Sequence, residues 1–216
     1  MMPGHMTFFD PHQRETVAAA MARIIPTDET PGAAEAGAVD FVDRYLSGIG
    51  YIYALPDGSG FESLTGKRAD AWMKRVRAAQ EKYVAGVADL DTISTSRYET
   101  EFVHLTEDQQ DDVLREIESG GTGEERQIAY GGPVEPALQK TSAENDLGFF
   151  ELMVVHTRQG FYSDPIYGGN RDRIGWGVIG FPGPSSLAEV HSGRYSSLEW
   201  FADEREHPGA GVGDDR

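Results

Sequence analysis

The stretch LGFFELMVVHTR, Leu147 to Arg158, constrains this chain more than any other. The reading predicts a helix from about Ser142 to Arg158. Its Leu147, Phe149, Phe150, Leu152, Met153, Val154 and Val155 nearly encircle the axis. A helix apolar on most sides must lie at the centre of a core or be covered by a partner, because a surface helix needs only one apolar stripe. Both placements are open here: elements from the rest of the chain wrap the helix, or the helix helps to hold a partner chain.

Those elements read as amphipathic helices. Asp10, Pro11 and Gln13 have the form of a capping box with proline at the first helical position. Val17, Met21, Ile24 and Ile25 then recur on one face ahead of Pro26. A second, short helix carries Val39, Val42, Tyr45 and Leu46, with Gly48 placed to end it in a left-handed cap. Residues 48–66 read as a connecting loop in which YIYAL forms a brief extended piece. From Lys67, the spacing of Trp72, Val76, Ala79, Tyr83 and Val87 predicts a third helix, with Lys74, Arg75 and Lys82 toward solvent. Thr106 and Gln109 make a second capping-box pair before Val113, Leu114 and Ile117, with Gly120 as the stop. SGGTGEERQIAYGGPVEP, from Ser119, reads as a surface loop, and a short helix is placed between Leu187 and Trp200.

The expected class is mainly α: a compact helical bundle with long irregular loops rich in glycine and aromatics. One domain covers residues 10–200, between a flexible N-terminus at 1–9 and a flexible acidic tail at 201–216. With 36 acidic and 19 basic residues among 216, the formal charge of −17 repels nucleic acid and anionic membrane surfaces. No apolar run approaches the ~20 residues of a membrane helix. The absence of cysteine excludes disulfides and thiolate metal sites. MMPGHMTFFDPHQR shows no basic n-region or apolar h-region, so a cytoplasmic location is expected unless an export signal has been removed.

Short catalytic motifs are missing. GSGFES, from Gly58, has only two glycines of a dinucleotide fingerprint and no strand–helix setting. There is no P-loop, G-x-S-x-G or H-E-x-x-H. The six histidines are scattered, and His156, near the end of the apolar helix, reads first as a core imidazole or a C-terminal cation. An alternative groups His156, Asp164 and Asp172 as an acid/base or metal site of a stand-alone enzyme.

GFYSDPIYGGNRDRIGWGVIGFPG, Gly160 to Gly183, is the candidate interaction segment. Asp164–Pro165 requires the preceding helix to have ended. Gly168, Gly169 and Asn170 are residue types suited to positive φ, so the chain is expected to reverse there. Trp176, between Gly175 and Gly177, is a large ring beside unshielded backbone. Two readings stand at this point: a loop folded onto its own helices with Trp176 and Phe181 as plugs, or an interface anchored by Tyr167, Arg171 and Trp176.

Two longer stretches, IIPTDETPGAAEAGAVDFVDRYLSG (Ile24 to Gly48) and GFFELMVVHTRQGFYSDPIYGGNRDRIGWGVIGFPG (Gly148 to Gly183), resemble the gluconate 2-dehydrogenase subunit 3 family. This is the small-subunit family of bacterial flavin-dependent sugar dehydrogenases. The resemblance implies a non-flavin accessory subunit with no cofactor or catalytic residue of its own. Its implied partner is a large FAD-carrying subunit of the glucose–methanol–choline type, which oxidises a sugar, glycoside or sugar acid, often with a cytochrome c subunit in the complex. Many relatives begin with a twin-arginine signal, which is not visible here; periplasmic location would follow if it was removed or if export occurs with the partner. With the resemblance, the interface reading is preferred, and the contact set is Tyr162, Asp164, Ile166, Tyr167, Gly168, Gly169, Asn170, Arg171 and Trp176.

Overall fold

A computed structural model describes residues 7–120, 143–184 and 187–193. Its described secondary structure is helical, apart from one isolated antiparallel bridge between Ala54 and Phe61. The mainly α expectation is met, and the YIYAL piece is reduced to that bridge beside a 3-10 turn at Ile49–Tyr51.

Helix α1 (Pro11–Ile24) starts at the capping box: Asp10 accepts from the Gln13 N–H at 2.8 Å, and Gln13 Oε1 accepts from the Asp10 N–H at 3.2 Å. Such a cap is worth about 1 kcal/mol. Thr16, Val17, Ala20 and Met21 form its buried face. The N-terminal lead is tighter than expected. Phe8 and Phe9 donate their N–H groups to Asp43 Oδ1 at 2.8 and 3.0 Å, and Phe9 is buried against Tyr83. Residues 8 and 9 are thus part of the core rather than of a flexible terminus.

Helix α2 (Ala38–Leu46) buries Ala38, Val42 and Leu46. It ends at Ser47, which is still helical, and Gly48 turns the chain at φ 144° rather than in the expected left-handed cap. Helix α3 (Gly66–Tyr98) has 33 residues, extending well past the Val87 end of its predicted stripe. At 1.5 Å per residue it is about 50 Å long. Val76, Ala79, Tyr83, Val87 and Leu90 line its buried side, as the spacing predicts.

Two of the cations assigned to solvent are not there. Arg75 reaches Glu144, with Nε to Oε2 at 3.5 Å, and stacks over Trp72 at 4.7 Å. Lys82 Nζ donates to the carbonyls of Glu144 and Leu147 at 3.2 and 2.7 Å, closing the 3-10 turn Ala143–Asp146. Partial burial lowers the Lys82 pKa. A helical stripe identifies the buried face, but long side chains at its border go where distant acceptors are.

Helix α4 (Glu107–Gly120) begins where Gln109 Oε1 accepts from the Thr106 N–H at 3.0 Å, buries Val113 and Leu114, and is helical through Gly120, the last residue described there. Helix α5 (Phe149–Tyr162) starts later than Ser142 and runs four residues past Arg158. It touches α1, α2, α3 and α4, the central one of the two placements its composition allows. Glycines set two of those approaches. A Cβ on Gly160 would meet the Ala38 carbonyl oxygen at 2.7 Å, and a Cβ on Gly86 would overlap the Phe149 ring. Two short helices follow, α6 (Ile174–Val178) and α7 (Leu187–His191). The predicted loop after Gly120, the rest of the Leu187–Trp200 helix and the acidic tail lie outside the described residues.

Candidate interaction site

Helix α5 stops at Tyr162, and Ser163 closes it by donating its N–H to the Gln159 carbonyl at 2.8 Å. Asp164 then caps the 3-10 turn Pro165–Tyr167, accepting from the Ile166 N–H at 2.9 Å, so the helix is over where the Asp–Pro pair requires. The reversal follows at Gly168 (φ 112°) and Asn170 (φ 49°). Gly169 does not use positive φ. Its glycine is needed because a Cβ would run into the Gly160 carbonyl oxygen of α5.

Asn170 holds the segment together. Fully buried, it donates Nδ2–H to the Ser163 carbonyl at 2.8 Å, accepts from the Gly175 N–H at 2.8 Å, and donates its own N–H to the Gly160 carbonyl at 2.7 Å. The next residues are tied to α2: the Arg171 N–H donates to the Ala36 carbonyl at 2.9 Å, and its guanidinium pairs with Asp40 at 2.9 Å. Asp172 and Arg173 sit at φ 54° and 59°. Left-handed backbone costs a residue with a Cβ about 1–2 kcal/mol, so the surrounding bonds must over-determine this turn.

Trp176 folds onto its own chain. Its Nε1–H donates to the Tyr162 carbonyl at 2.7 Å, its ring meets Phe181 edge-on at 5.3 Å, and it is 5% exposed. The space beside Gly175 is filled by the Phe161 carbonyl, and Gly183 passes under the indole. Trp176 therefore plugs the segment, as the self-packing reading held. Of the nine expected contact residues, Gly169, Asn170 and Trp176 are buried. Asp164, Ile166, Tyr167 and Gly168 are half-buried, while Tyr162 and Arg171 are exposed. Tyr167 packs edge-on against Phe61 at 5.8 Å, and its hydroxyl accepts from the Ala54 N–H at 3.4 Å.

The segment also presents a short apolar row in which Phe181, expected as a second plug beside Trp176, is exposed, next to Val178 and Ile179, which lie outside the expected contact set. Val178, Ile179 and Phe181 are 40, 57 and 37% exposed, with Tyr162 at 39%. The signal was available in Gly177-Val-Ile-Gly180: a five-residue helix has too few turns to bury more than one face, and Trp176 already occupies it.

His156 is a core residue. It is 1% exposed, stacked on Tyr83 at 5.7 Å, with its Nδ1 hydrogen-bonded to the Tyr83 hydroxyl at 3.1 Å. Burial, and secondarily the Arg75 charge, lowers its pKa from 6.5 to about 3, so the imidazole is neutral. Asp164 serves as a turn cap and Asp172 is exposed. Among the described residues no group of three or more His, Cys, Asp and Glu side chains is arranged to hold a metal ion, so His156, Asp164 and Asp172 form no such set.

A separate cleft of about 280 Å³ opens beside Tyr167. Phe41, Tyr45, Tyr51, Trp72 and Tyr167 form its walls, and Glu144, Gln159 and Ser163 are its polar groups. The walls come from α2, α3, the 48–66 loop and the segment after α5, so no local motif announces it.

The fold and the site together define a small helical protein without a metal cluster among its described residues, carrying a hydrogen-bonded loop with Asn170, Asp172 and Arg173 at positive φ and an exposed apolar row. The chain belongs to the gluconate 2-dehydrogenase subunit 3 family, whose sequence model matches residues 11–183. That span takes in every described helix from α1 to α6. No curated protein and no solved structure matches the chain.

Proposed function

We propose that this protein is the non-flavin accessory subunit of an FAD-dependent sugar, glycoside or sugar-acid dehydrogenase, stabilising or maturing a catalytic subunit of the glucose–methanol–choline type. FAD and the oxidation of the CH–OH group belong to that partner, with a cytochrome c subunit as a further member of the complex. Family membership supports the reading at the level of a subunit of a gluconate dehydrogenase complex. The observation that carries the docking surface is the exposed row Val178, Ile179 and Phe181 on a loop fixed by Asn170. A pre-ordered apolar patch loses little entropy on association, which is the property a docking element needs.

Arg171 and Tyr162 are also exposed on this segment, and both are residue types enriched at binding hot spots. Trp176 and Asn170 hold the loop's shape, and the contacts are made by their exposed neighbours. The test is co-purification of the flavoprotein with Ile179→Asp and Phe181→Asp variants. Truncation of a well-packed anchor costs over ~2 kcal/mol, and a buried charge more, so recovery of the partner should fall at least about tenfold. Undiminished recovery with both variants folded would remove the docking assignment.

A further inference from the structure

The aromatic cleft has the chemistry of a ligand site that docking does not use. We propose that it binds a neutral, polyhydroxylated six-membered ring, a hexopyranose unit, with an apolar sugar face on the aromatic walls and hydroxyls on Glu144, Gln159 and Ser163.

The unfilled hydrogen-bonding capacity is the first argument. Among the described residues the Glu144 carboxylate accepts from Tyr45 Oη at 3.4 Å and Gln159 Nε2 at 3.5 Å, both at the outer limit of a hydrogen bond, and Arg75 Nε at 3.5 Å pairs with it by charge without hydrogen-bonding. Ser163 Oγ is buried and has no hydrogen-bond partner among them. A buried hydroxyl without a partner is costly, and a carboxylate with only long contacts still has lone pairs to offer. A ligand that brings both donors and acceptors satisfies the two together.

The walls supply the second argument. Aromatic faces carry negative quadrupole charge and attract polarised C–H bonds, and one face of a pyranose presents a row of these. At about 280 Å³ the space suits one ring and not an extended chain.

Charge selects the third property. Arg75 lies over one face of the Trp72 ring at 4.7 Å and Arg44 over one face of the Tyr51 ring at 5.4 Å, and these charges disfavour a further cation in the cleft. Toward an anion the Glu144 carboxylate opposes the pull of these two guanidiniums: its charge, added to the larger effect of burial and against that of Arg75, keeps the Tyr45 hydroxyl protonated well above the ordinary phenol range. A neutral ligand meets neither penalty.

The inference is independent of the docking reading, because Val178, Ile179 and Phe181 do not line the cleft. It is tested on the full chain by titrating methyl β-D-glucopyranoside while following the Trp72 indole N–H by NMR, assigned through Trp72→Phe. A saturable shift with a Kd on the order of 1 mM is expected, with the Trp176 signal unmoved. Sodium gluconate, an anion without the ring, should bind at least about tenfold more weakly, and Glu144→Gln should weaken the glucoside about tenfold. Ser163→Ala, which removes no bond within the described chain, should weaken it severalfold and covers the case in which Glu144→Gln disturbs the Arg75 contact. No saturable Trp72 shift up to about 100 mM, gluconate binding as tightly as the glucoside, or wild-type affinity in both variants would overturn the proposal.

Discussion

Helix α5 buries Leu152, Met153, His156 and Phe161 on the faces that its neighbours cover, whereas residues 163–183 bury Asn170 and Trp176 and leave Val178 and Ile179 in solvent. Both regions are rich in apolar side chains, but their burial has different causes. In α5 a continuous ladder of backbone bonds fixes the helix's shape, and packing against the surrounding helices stabilises it. In the segment after it the helical pieces are only three to five residues long, and close glycine contacts and one buried asparagine decide which side chains point inward. The first kind of order tolerates a changed side chain better than the second.

The largest effect should therefore come from Gly169→Ala. The added methyl would collide with the Gly160 carbonyl oxygen, and backbone on both sides leaves nothing flexible to move aside. A loss of about 3 kcal/mol is expected, the upper part of the range for overpacking. In a chain of this size that lowers Tm by about 6–12 °C in a thermal melt followed by circular dichroism. A wild-type Tm would mean that the segment does not press against α5 at all.

Next is Asn170, where two causes separate. Replacement by alanine leaves the Ser163 carbonyl and the Gly175 N–H without their partner and forces a Cβ to hold φ 49° without asparagine's local support. The expected loss is about 2–3 kcal/mol. Asn170→Gly removes the same bonds but relieves the backbone, so it should be less destabilising by about 1 kcal/mol. Urea unfolding of the two variants ranks them, and glycine proving worse than alanine would exclude left-handed strain as a contributor.

Much of this architecture was legible before the structure. The capping box at Asp10, the buried face of α3 and the stop before Asp164 all follow from local rules, because each depends on residues within a turn or two of one another. Composition left α5 either central or covered by a partner, and its contacts with α1, α2, α3 and α4 decide for the first. What could not be read were matters of direction and distance. Arg75 and Lys82 turn to Glu144 and Leu147, more than sixty residues away in sequence, and no periodicity encodes that. Trp176 flanked by glycines fits an outward anchor or an inward plug equally well, and the choice rests on the Tyr162 carbonyl that its indole reaches. The exposure of Val178, Ile179 and Phe181 likewise depends on Trp176 taking the one inward face of the short helix. The cleft joins Phe41 to Tyr167 across most of the chain, so only tertiary structure assembles it.

On the α5 side, His156 gives a test by pH. Its pKa is about 3 in the folded protein and near 6.5 when unfolded, so between these values the unfolded chain binds a proton that the native state refuses. The stabilisation from a neutral His156 is complete above about pH 6.5 and is lost as pH falls toward 3. The slope amounts to about 1.4 kcal/mol per pH unit for one proton. Carboxylates add their own acid dependence, so the measurement compares wild type with His156→Leu by urea unfolding at about pH 7 and pH 5. The variant is less stable at neutral pH because Tyr83 loses its partner, yet its stability should fall less on acidification. Equal slopes would place a charged imidazole in the core.

The smallest effect on stability is expected at Ile179, and it bears most directly on the contrast between the two regions. If the outer row of the segment is there for contact and not for folding, Ile179→Asp should change the unfolding free energy by no more than about 0.5 kcal/mol, the usual range for surface sites. The side chain is 57% exposed, and α6 is held by Trp176 and Asn170 whether or not Ile179 is apolar. The isolated subunit should accordingly melt as wild type while failing to hold the flavoprotein. A loss of 2 kcal/mol or more, in the range of buried core truncations, would show instead that Ile179 is covered within this chain and that the apolar row belongs to its own core.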